Sequence, residues 1–268
     1  MGVLMKHPYF VPDTVQEDKT EDVNDMVRFI SGHELFNNKM YHDALYNVLT
    51  EYEKTKDIDT IIMSWLPFLK IKTPIPHEEM FDEAKRLLPF FVNHRGDAYN
   101  WKSLCLWGLS HAHTGVPEDY GMEETDELEE QYMDWTDMSK FCPTTKNWLE
   151  NDFGFNSFTR VRFMLIEPGG YIKPHSDTDH SELIAINIAL NMPEKCYFIV
   201  DKYGCLPLNA GDIFLFNNSY THAVWNQSDE PRIHMIVYGG RDWNWWEKKT
   251  VESLKEANRN YYVTKLQH

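Results

Sequence analysis

Two histidines and two aspartates lie within six positions of the segment PHSDTDHSEL, at 174–183. Residues i and i+2 of an extended chain point the same way, so His175 and Asp177 can aim an imidazole and a carboxylate at one point. Such a pair can hold a metal ion when a third ligand arrives from another element. The segment therefore predicts two ligands of a metal site that needs at least one more.

His222, in FLFNNSYTHAVWNQ, begins a later predicted strand and is the candidate third ligand. Two histidines and a carboxylate on one face of an octahedral ion leave three positions open, which is the arrangement in non-haem Fe(II) oxygenases. Arg232 follows ten residues after His222, on the next predicted strand. A buried guanidinium there could hold the far carboxylate of 2-oxoglutarate in a two-pronged contact. HxD alone occurs by chance in many proteins, so the arginine spacing is what favours an oxygenase site.

Short predicted strands dominate the chain from residue 158 onward. They follow one another with turns and no helix between them: FTRVRFMLIE, ELIAINIALN, KCYFIV, DIFLFN, HAVWNQ and PRIHMIVYGG. The separators are PGG, NMPE, NAGD and QSDEP. Evenly spaced short strands of this kind predict a sandwich or a barrel.

Apolar residues recur at helix spacing before this region, in EDVNDMVRFI and YHDALYNVLTEYEK. We therefore expect residues 1–66 to form a helical extension packed on a main domain over residues 67–268. That domain would begin with strand FLKIKTPI, helix HEEMFDEAKRLLPFF and strand NWKSLCLWGL, and would end with helix DWNWWEKKTVESLKEANRN.

Four pieces of the region from about 160 to 240, RVRFMLIEPGGYIKPHSD, LNMPEKC, GDIFLFNNSYTHAVWN and PRIHMIVYG, resemble the aspartyl/asparaginyl β-hydroxylase family. This family of Fe(II)/2-oxoglutarate oxygenases includes the proline cis-hydroxylases. The resemblance implies a mainly β fold, a double-stranded β-helix (a cupin-like jelly roll) with packed N-terminal and C-terminal helices. It also implies that His175, Asp177 and His222 hold iron and that Arg232 binds the cosubstrate.

The resemblance further implies a dioxygenase that uses Fe(II), 2-oxoglutarate and O2 to hydroxylate an amino acid, free or within a peptide or protein. The cosubstrate would leave as succinate and carbon dioxide. The protein would place one substrate C–H bond at the oxidant and keep water away from it.

Three further residues are candidates for the cosubstrate or substrate cavity. Asn187 falls, with a gap of one or two residues, where relatives carry a cosubstrate-binding histidine; its amide can donate a hydrogen bond but cannot become cationic. Arg162 stands at an offset where proline hydroxylases also have an arginine, and a surface ion pair is its competing interpretation. His234 shares a strand face with Arg232, so we expect it to line the same cavity, with a buried structural histidine as the alternative.

Composition excludes several classes of partner. The 268-residue chain has a formal net charge of −16, which argues against a nucleic-acid partner. Its four cysteines form no CxxC pair, and its most apolar stretch, IIMSWLPFL, is too short to cross a membrane. Together with an N-terminus that lacks a secretion signal, these features predict a soluble, cytoplasmic protein.

An acidic stretch at 118–137 holds ten Asp and Glu residues and no Lys or Arg. Runs of like charge are usually a solvated surface, and the functional alternative is a flap at the mouth of the site that attracts a cationic substrate.

Rival sites and functions stay open at this point. His111 and His113 form an HxH pair of cupin type, for which a polar loop is the competing interpretation, and Asp179 and His180 are candidates for supporting or loop positions. A jelly roll with this triad could instead be a non-oxidative metal protein, such as a cupin-type isomerase or sensor, or a catalytically silent interaction module. Arg232 is the feature that separates the oxygenase from these alternatives.

Overall fold

The structure, a computed structural model, describes residues 20–31, 35–94, 99–115, 133–177 and 183–266. The described helices are α1 (Thr20–Ser31), α2 (Asn38–Thr55), α3 (Asp59–Ile62), α4 (His77–Arg86), α5 (Pro143–Asn151) and α6 (Trp243–Leu266), with 3-10 turns at Leu88–Phe90 and Asp137–Phe141. The described strands are β1 (Phe68–Ile71), β2 (Val92–Asn93), β3 (Tyr99–Gly108), β4 (Asp134–Trp135), β5 (Arg160–His175), β6 (Ala185–Ala189), β7 (Cys196–Val200), β8 (Gly204–Cys205), β9 (Ile213–Phe216), β10 (His222–Asn226) and β11 (Arg232–Tyr238).

All of these strands belong to one antiparallel sheet that curls around a cavity. Its main order is β1-β9-β6-β11-β5-β10-β7-β8, and β3 pairs with the first half of β5. The predicted mainly β, jelly-roll fold is therefore confirmed, and each strand predicted from residue 158 onward is present. Strands β6 and β9 are buried along their whole length, because one face looks into the cavity and the other is covered by the core.

Strand β5 joins the two halves of the curled sheet. Its first half, up to Ile166, pairs with β11 and β3, and its last half pairs with β10 and, through Tyr171, with Tyr99 of β3. The sequence predicted a turn at the PGG segment, but the strand continues through it to His175. Gly169 has φ +77°, and a Cβ at Gly170 would lie 2.9 Å from the carbonyl oxygen of Tyr99. The two glycines therefore allow a left-handed residue and a close approach to β3 inside a continuous strand.

The helices cover the outer side of the sheet. Tyr41 of α2 stacks on Phe68 of β1 with ring centroids 4.9 Å apart, and its hydroxyl donates to the Phe68 carbonyl oxygen. Met26 of α1 packs against Tyr171 and Ala223 of β5 and β10. Because α2 shares the core with β1, the division at residue 66 stays a prediction. In the described part of the chain, no helix has the length and apolar content needed to cross a membrane.

Glu83 fixes α5 to α4 and gives a test of the helical layer. Its side chain is 2% exposed, and its carboxylate accepts hydrogen bonds from the backbone of Thr144 and Thr145 and from the Thr145 hydroxyl, at 2.7–2.9 Å. These amides belong to the first turn of α5, where no intrahelical partner exists.

We expect Glu83→Gln to lower the free energy of unfolding by about 1–3 kcal/mol. The glutamine side chain carries no charge, and its NH2 group would face the N–H and O–H donors of Thr144 and Thr145. Urea unfolding of the variant measures the loss. The matched control is Glu79→Gln, at an exposed position of the same helix. Equal unfolding free energies for the two variants would contradict the capping role.

Candidate functional site

The side chains of His175, Asp177 and His222 converge at the ends of two paired strands. His175, the last residue of β5, is the register partner of His222, the first residue of β10. Their ring centroids are 4.4 Å apart, and one ligand atom from each of the three side chains lies within 4.8 Å of the others. The arrangement brings together two imidazoles and a carboxylate, as the HxD pattern and the later histidine predicted.

Backbone hydrogen bonds orient both imidazoles. Nδ1 of His175 lies 2.8 Å from the Lys173 carbonyl oxygen, and Nδ1 of His222 lies 2.9 Å from the Tyr220 carbonyl oxygen. A carbonyl oxygen only accepts, so Nδ1 carries the proton in each ring and Nε2 keeps its lone pair. The two Nε2 atoms lie 3.2 Å and 3.9 Å from the Asp177 carboxylate oxygens. Each ring therefore directs its Nε2 atom toward the same small region as the carboxylate, where the three groups could bind one ion.

Local charges favour the protonation states that a metal needs. Burial lowers the pKa of His222 to about 4, with help from neighbouring His175, so this imidazole is neutral near pH 7. Partial burial works to raise the pKa of Asp177, but the two neighbouring histidines and the amide of Asn218 outweigh it and lower that pKa. At neutral pH the group therefore offers the neutral imidazole of His222 and the carboxylate anion of Asp177.

Asn218 supports the carboxylate from the loop between β9 and β10. Its backbone carbonyl oxygen accepts from the Asp177 amide at 2.9 Å, and its side-chain amide donates to Asp177 Oδ2 at 3.3 Å. These two contacts fix the chain immediately after His175. Asn218 stands four residues before His222, and nothing in the sequence pattern identified its role.

Arg232 is buried in the same cavity without an acidic partner among the described residues. Its side chain is 3% exposed, its Nη2 donates to Nδ1 of His234 at 2.6 Å, and its guanidinium lies 5.7 Å from the Phe198 ring centroid. Burial lowers its pKa to about 10, which leaves it charged at neutral pH. Within the described chain, Nε of Arg232 and Nε2 of His234 are buried polar atoms that have no hydrogen-bond partner.

His234 is a neutral donor in this arrangement. Burial, reinforced by the charge of Arg232, holds its pKa well below the ordinary value. Since its Nδ1 accepts from Arg232, its proton lies on Nε2. Arg232 and His234 are both buried, and each has a donor atom without a partner among the described residues. A cation and an N–H donor in this arrangement would bind an anion better than a neutral group.

The register of β11 places the remaining predicted residues in the same cavity. Ile236, two residues after His234, pairs with Asn187 of β6 on one side and with Arg162 of β5 on the other. Both side chains are buried, and both line a cavity of about 570 Å³. The structure thus brings every predicted site residue to one cavity: His175, Asp177, Asn187, Arg162, His222, Arg232 and His234.

The other candidate residues are elsewhere. His111 and His113 do not line the cavity, and Nδ1 of His113 lies 2.7 Å from the Ser110 hydroxyl, as in a polar loop. Asp179, His180 and positions 118–132 of the acidic stretch lie outside the described residues, so the predicted flap stays a prediction.

Sequence reasoning missed Arg160 and His94, which also line the cavity. Strand alternation from Arg162 could have identified Arg160.

Comparison with known protein families gives a match over more than half of the chain. A family model described as aspartyl/asparaginyl beta-hydroxylase matches residues 77–241. This range contains all of the residues that line the cavity.

Individual relatives are more distant. The chain is 27% identical over 101 residues to an ornithine lipid ester-linked acyl 2-hydroxylase of Rhizobium tropici, which is 37% of this chain and 34% of that protein. The chain thus spans about a third of the length of this curated relative. A prolyl-4-hydroxylase of Pseudomonas putida is similar over 74% of this chain and 99% of its own, with 12% identity and a TM-score of 0.39. The collagen prolyl hydroxylase of Paramecium bursaria Chlorella virus-1 is similar over 65% of this chain and 95% of its own, with 14% identity and a TM-score of 0.35.

Proposed function

We propose that this chain, which belongs to the aspartyl/asparaginyl β-hydroxylase family, is an Fe(II)- and 2-oxoglutarate-dependent dioxygenase that hydroxylates a C–H bond. The family predicted from the sequence is confirmed. We propose further that the substrate is an amino acid, free or within a peptide or protein.

One observation carries the proposal: a buried, charged arginine without an acidic partner in the described chain shares a cavity with three convergent metal-binding side chains. A metal-binding isomerase or sensor needs no such cation, whereas a dicarboxylate cosubstrate needs one at its far end. The unused Nε of Arg232 and Nε2 of His234 are the donors that such a carboxylate would accept from. The donor set of His175, Asp177 and His222, two imidazoles and a carboxylate whose ligand atoms converge, would suit Fe(II).

Separate groups of residues would bind the metal and the cosubstrate. His175, Asp177 and His222 would hold the metal, and Asn218 would keep the carboxylate in place through its hydrogen bond. Arg232 and His234 would bind and orient the far carboxylate of the cosubstrate, with the Asn187 amide close by as a further donor. Apolar side chains such as Met164, Ile172 and Val224 line the remaining wall and reduce water access. Bound iron and 2-oxoglutarate supply the oxidation, in which O2 is consumed and succinate and carbon dioxide are released.

Anaerobic reconstitution with Fe(II) and 2-oxoglutarate, followed by admission of O2, tests this function. We expect calorimetry to show that 2-oxoglutarate binds the Mn(II)-loaded protein, since Mn(II) takes the same oxygen and nitrogen ligands without the redox chemistry. A screen of amino acids and peptides with Fe(II) should then find compounds that increase succinate release. Absence of 2-oxoglutarate binding to the metal-loaded protein would overturn the proposal.

A further inference from the structure

The loop at 217–220, between β9 and β10, contacts two of the three metal-binding side chains. Asn218 supports Asp177 through its backbone carbonyl oxygen and its side-chain amide. The backbone carbonyl oxygen of Tyr220 lies 2.9 Å from Nδ1 of His222 and orients that ring. The position of this loop therefore affects the orientation of both side chains.

The loop packs against the segment at 62–67, which precedes β1. The side-chain amide of Asn217 donates to the Ser64 carbonyl oxygen at 3.1 Å, and its backbone amide donates to the Pro67 carbonyl oxygen at 2.9 Å. Asn217 is fully buried, and its side-chain oxygen accepts from the backbone amide and the hydroxyl of Ser219, at 3.2 Å and 2.6 Å. This one side chain therefore joins the segment to the loop and fixes the turn that follows.

Tyr220 connects the same segment to a metal-binding side chain. Its hydroxyl donates to the Trp65 carbonyl oxygen at 2.6 Å, while its own backbone carbonyl oxygen faces His222. The peptide group that follows Tyr220 lies outside the strands, so strand pairing does not fix its orientation. The anchored tyrosine side chain is attached to this peptide group and restricts its rotation.

We propose that Tyr220 is a positioning residue for the metal and that it acts through His222. The bond from its hydroxyl to Trp65 holds the backbone carbonyl oxygen where the imidazole needs it, so the segment at 62–67 contributes to metal affinity without touching the ion. This inference rests on the metal site of the proposed function. It adds a group that contacts neither the metal nor the cosubstrate.

Co(II) titration of Tyr220→Phe on the full chain, without 2-oxoglutarate, tests this assignment. The substitution keeps the ring and removes the hydroxyl that donates to Trp65. We expect the dissociation constant for Co(II) to rise about three- to tenfold, less than the roughly 10- to 100-fold typical when a direct hydrogen-bond partner of a ligand is lost. Co(II) takes nitrogen and oxygen ligands, and its visible absorption bands respond to ligand orientation. The bands of the loaded variant should therefore shift from those of the parent.

Tyr203→Phe is the matched control. The Tyr203 hydroxyl donates to the same Trp65 carbonyl oxygen at 3.1 Å, and its ring packs edge to face on Tyr220 with centroids 5.5 Å apart. Its backbone carbonyl oxygen, however, accepts from the Asn37 amide and not from a histidine. Urea unfolding of the metal-free variants should show comparable losses of stability, whereas Co(II) affinity and absorption should change only in Tyr220→Phe.

An unchanged Co(II) constant in Tyr220→Phe, or an equal rise in both tyrosine variants, would overturn the inference. Asn217→Asp is a second test, because it keeps the oxygen that accepts from Ser219 and removes the amide that donates to Ser64. It should also weaken Co(II) binding, and unchanged affinity would overturn the contribution of the segment at 62–67.

The titrations also separate this inference from the proposed function. They contain no 2-oxoglutarate, so failure of 2-oxoglutarate to bind the metal-loaded parent would count against the oxygenase alone. A parent that binds no Co(II) would refute the metal site and with it both proposals.

Discussion

Replacing His222 with alanine is expected to abolish Fe(II) binding at micromolar metal and with it all 2-oxoglutarate turnover. Only one imidazole and one carboxylate would remain, and two protein ligands are too few to retain the ion at this concentration. His222 is 6% exposed, its ring is oriented by the Tyr220 carbonyl oxygen, and among the described residues the group of converging ligands consists of His175, Asp177 and His222. Equilibrium dialysis with a metal assay measures the loss directly.

His111→Ala is the matched control for the metal experiment. It removes a histidine of the rival HxH pair, which does not line the cavity, so we expect metal content equal to that of the parent. His175→Ala should behave as His222→Ala does, because the two rings stand on paired residues. Full metal binding in either triad variant, or its loss in His111→Ala, would refute the assignment of the ligands.

Replacing Arg232 with alanine should raise the dissociation constant for 2-oxoglutarate by two to nearly four orders of magnitude. A carboxylate left buried without its cation costs roughly 3–5 kcal/mol, and about 1.4 kcal/mol corresponds to a tenfold change in affinity. His234 cannot compensate, because burial keeps it neutral. Calorimetric titration of the Mn(II)-loaded variant gives the dissociation constant.

Metal affinity separates this effect from a general disturbance of the site. Arg232 contacts none of the three metal-binding side chains in the described hydrogen-bond network, so Arg232→Ala should bind Mn(II) as the parent does. Arg232→Lys should recover part of the affinity for 2-oxoglutarate, since it restores charge without the fork. A variant that lacks the arginine and still binds 2-oxoglutarate like the parent would remove the main support for the oxygenase.

Much of the fold could be predicted because its strands are short, apolar and separated by clear turn residues. The HxD pair, the later histidine and the arginine ten residues beyond it could be identified for a related reason: each stands at a strand end or on a strand whose alternation is regular. The register of β11 with β5 and β6 then explains why Arg162 and Asn187 reach the same cavity as His234.

The sequence was less informative where distant contacts decide the structure. The glycines at 169 and 170 look like a turn, but pairing of the flanking residues with β3 and β10 keeps β5 continuous. Asn218 acts on Asp177 from across the site, a contact that local pattern cannot contain. Arg160 was not among the sequence candidates, although it stands two residues before Arg162 on the same strand, where it pairs with Tyr238 of β11.

The direct pairing of β5 with β10 also affects how long a metal would stay bound. The two histidines stand on paired backbone positions, so their main chains can move apart when this end of the β5–β10 pairing opens. Strand β7 pairs with β10 on its other side, with Val200 opposite His222, and therefore restrains the same opening. Amide hydrogen exchange at His222 and the rate of metal loss to a chelator would then share one opening step. Substitutions in β7 that loosen this edge would shorten the residence time of the metal without changing any ligand.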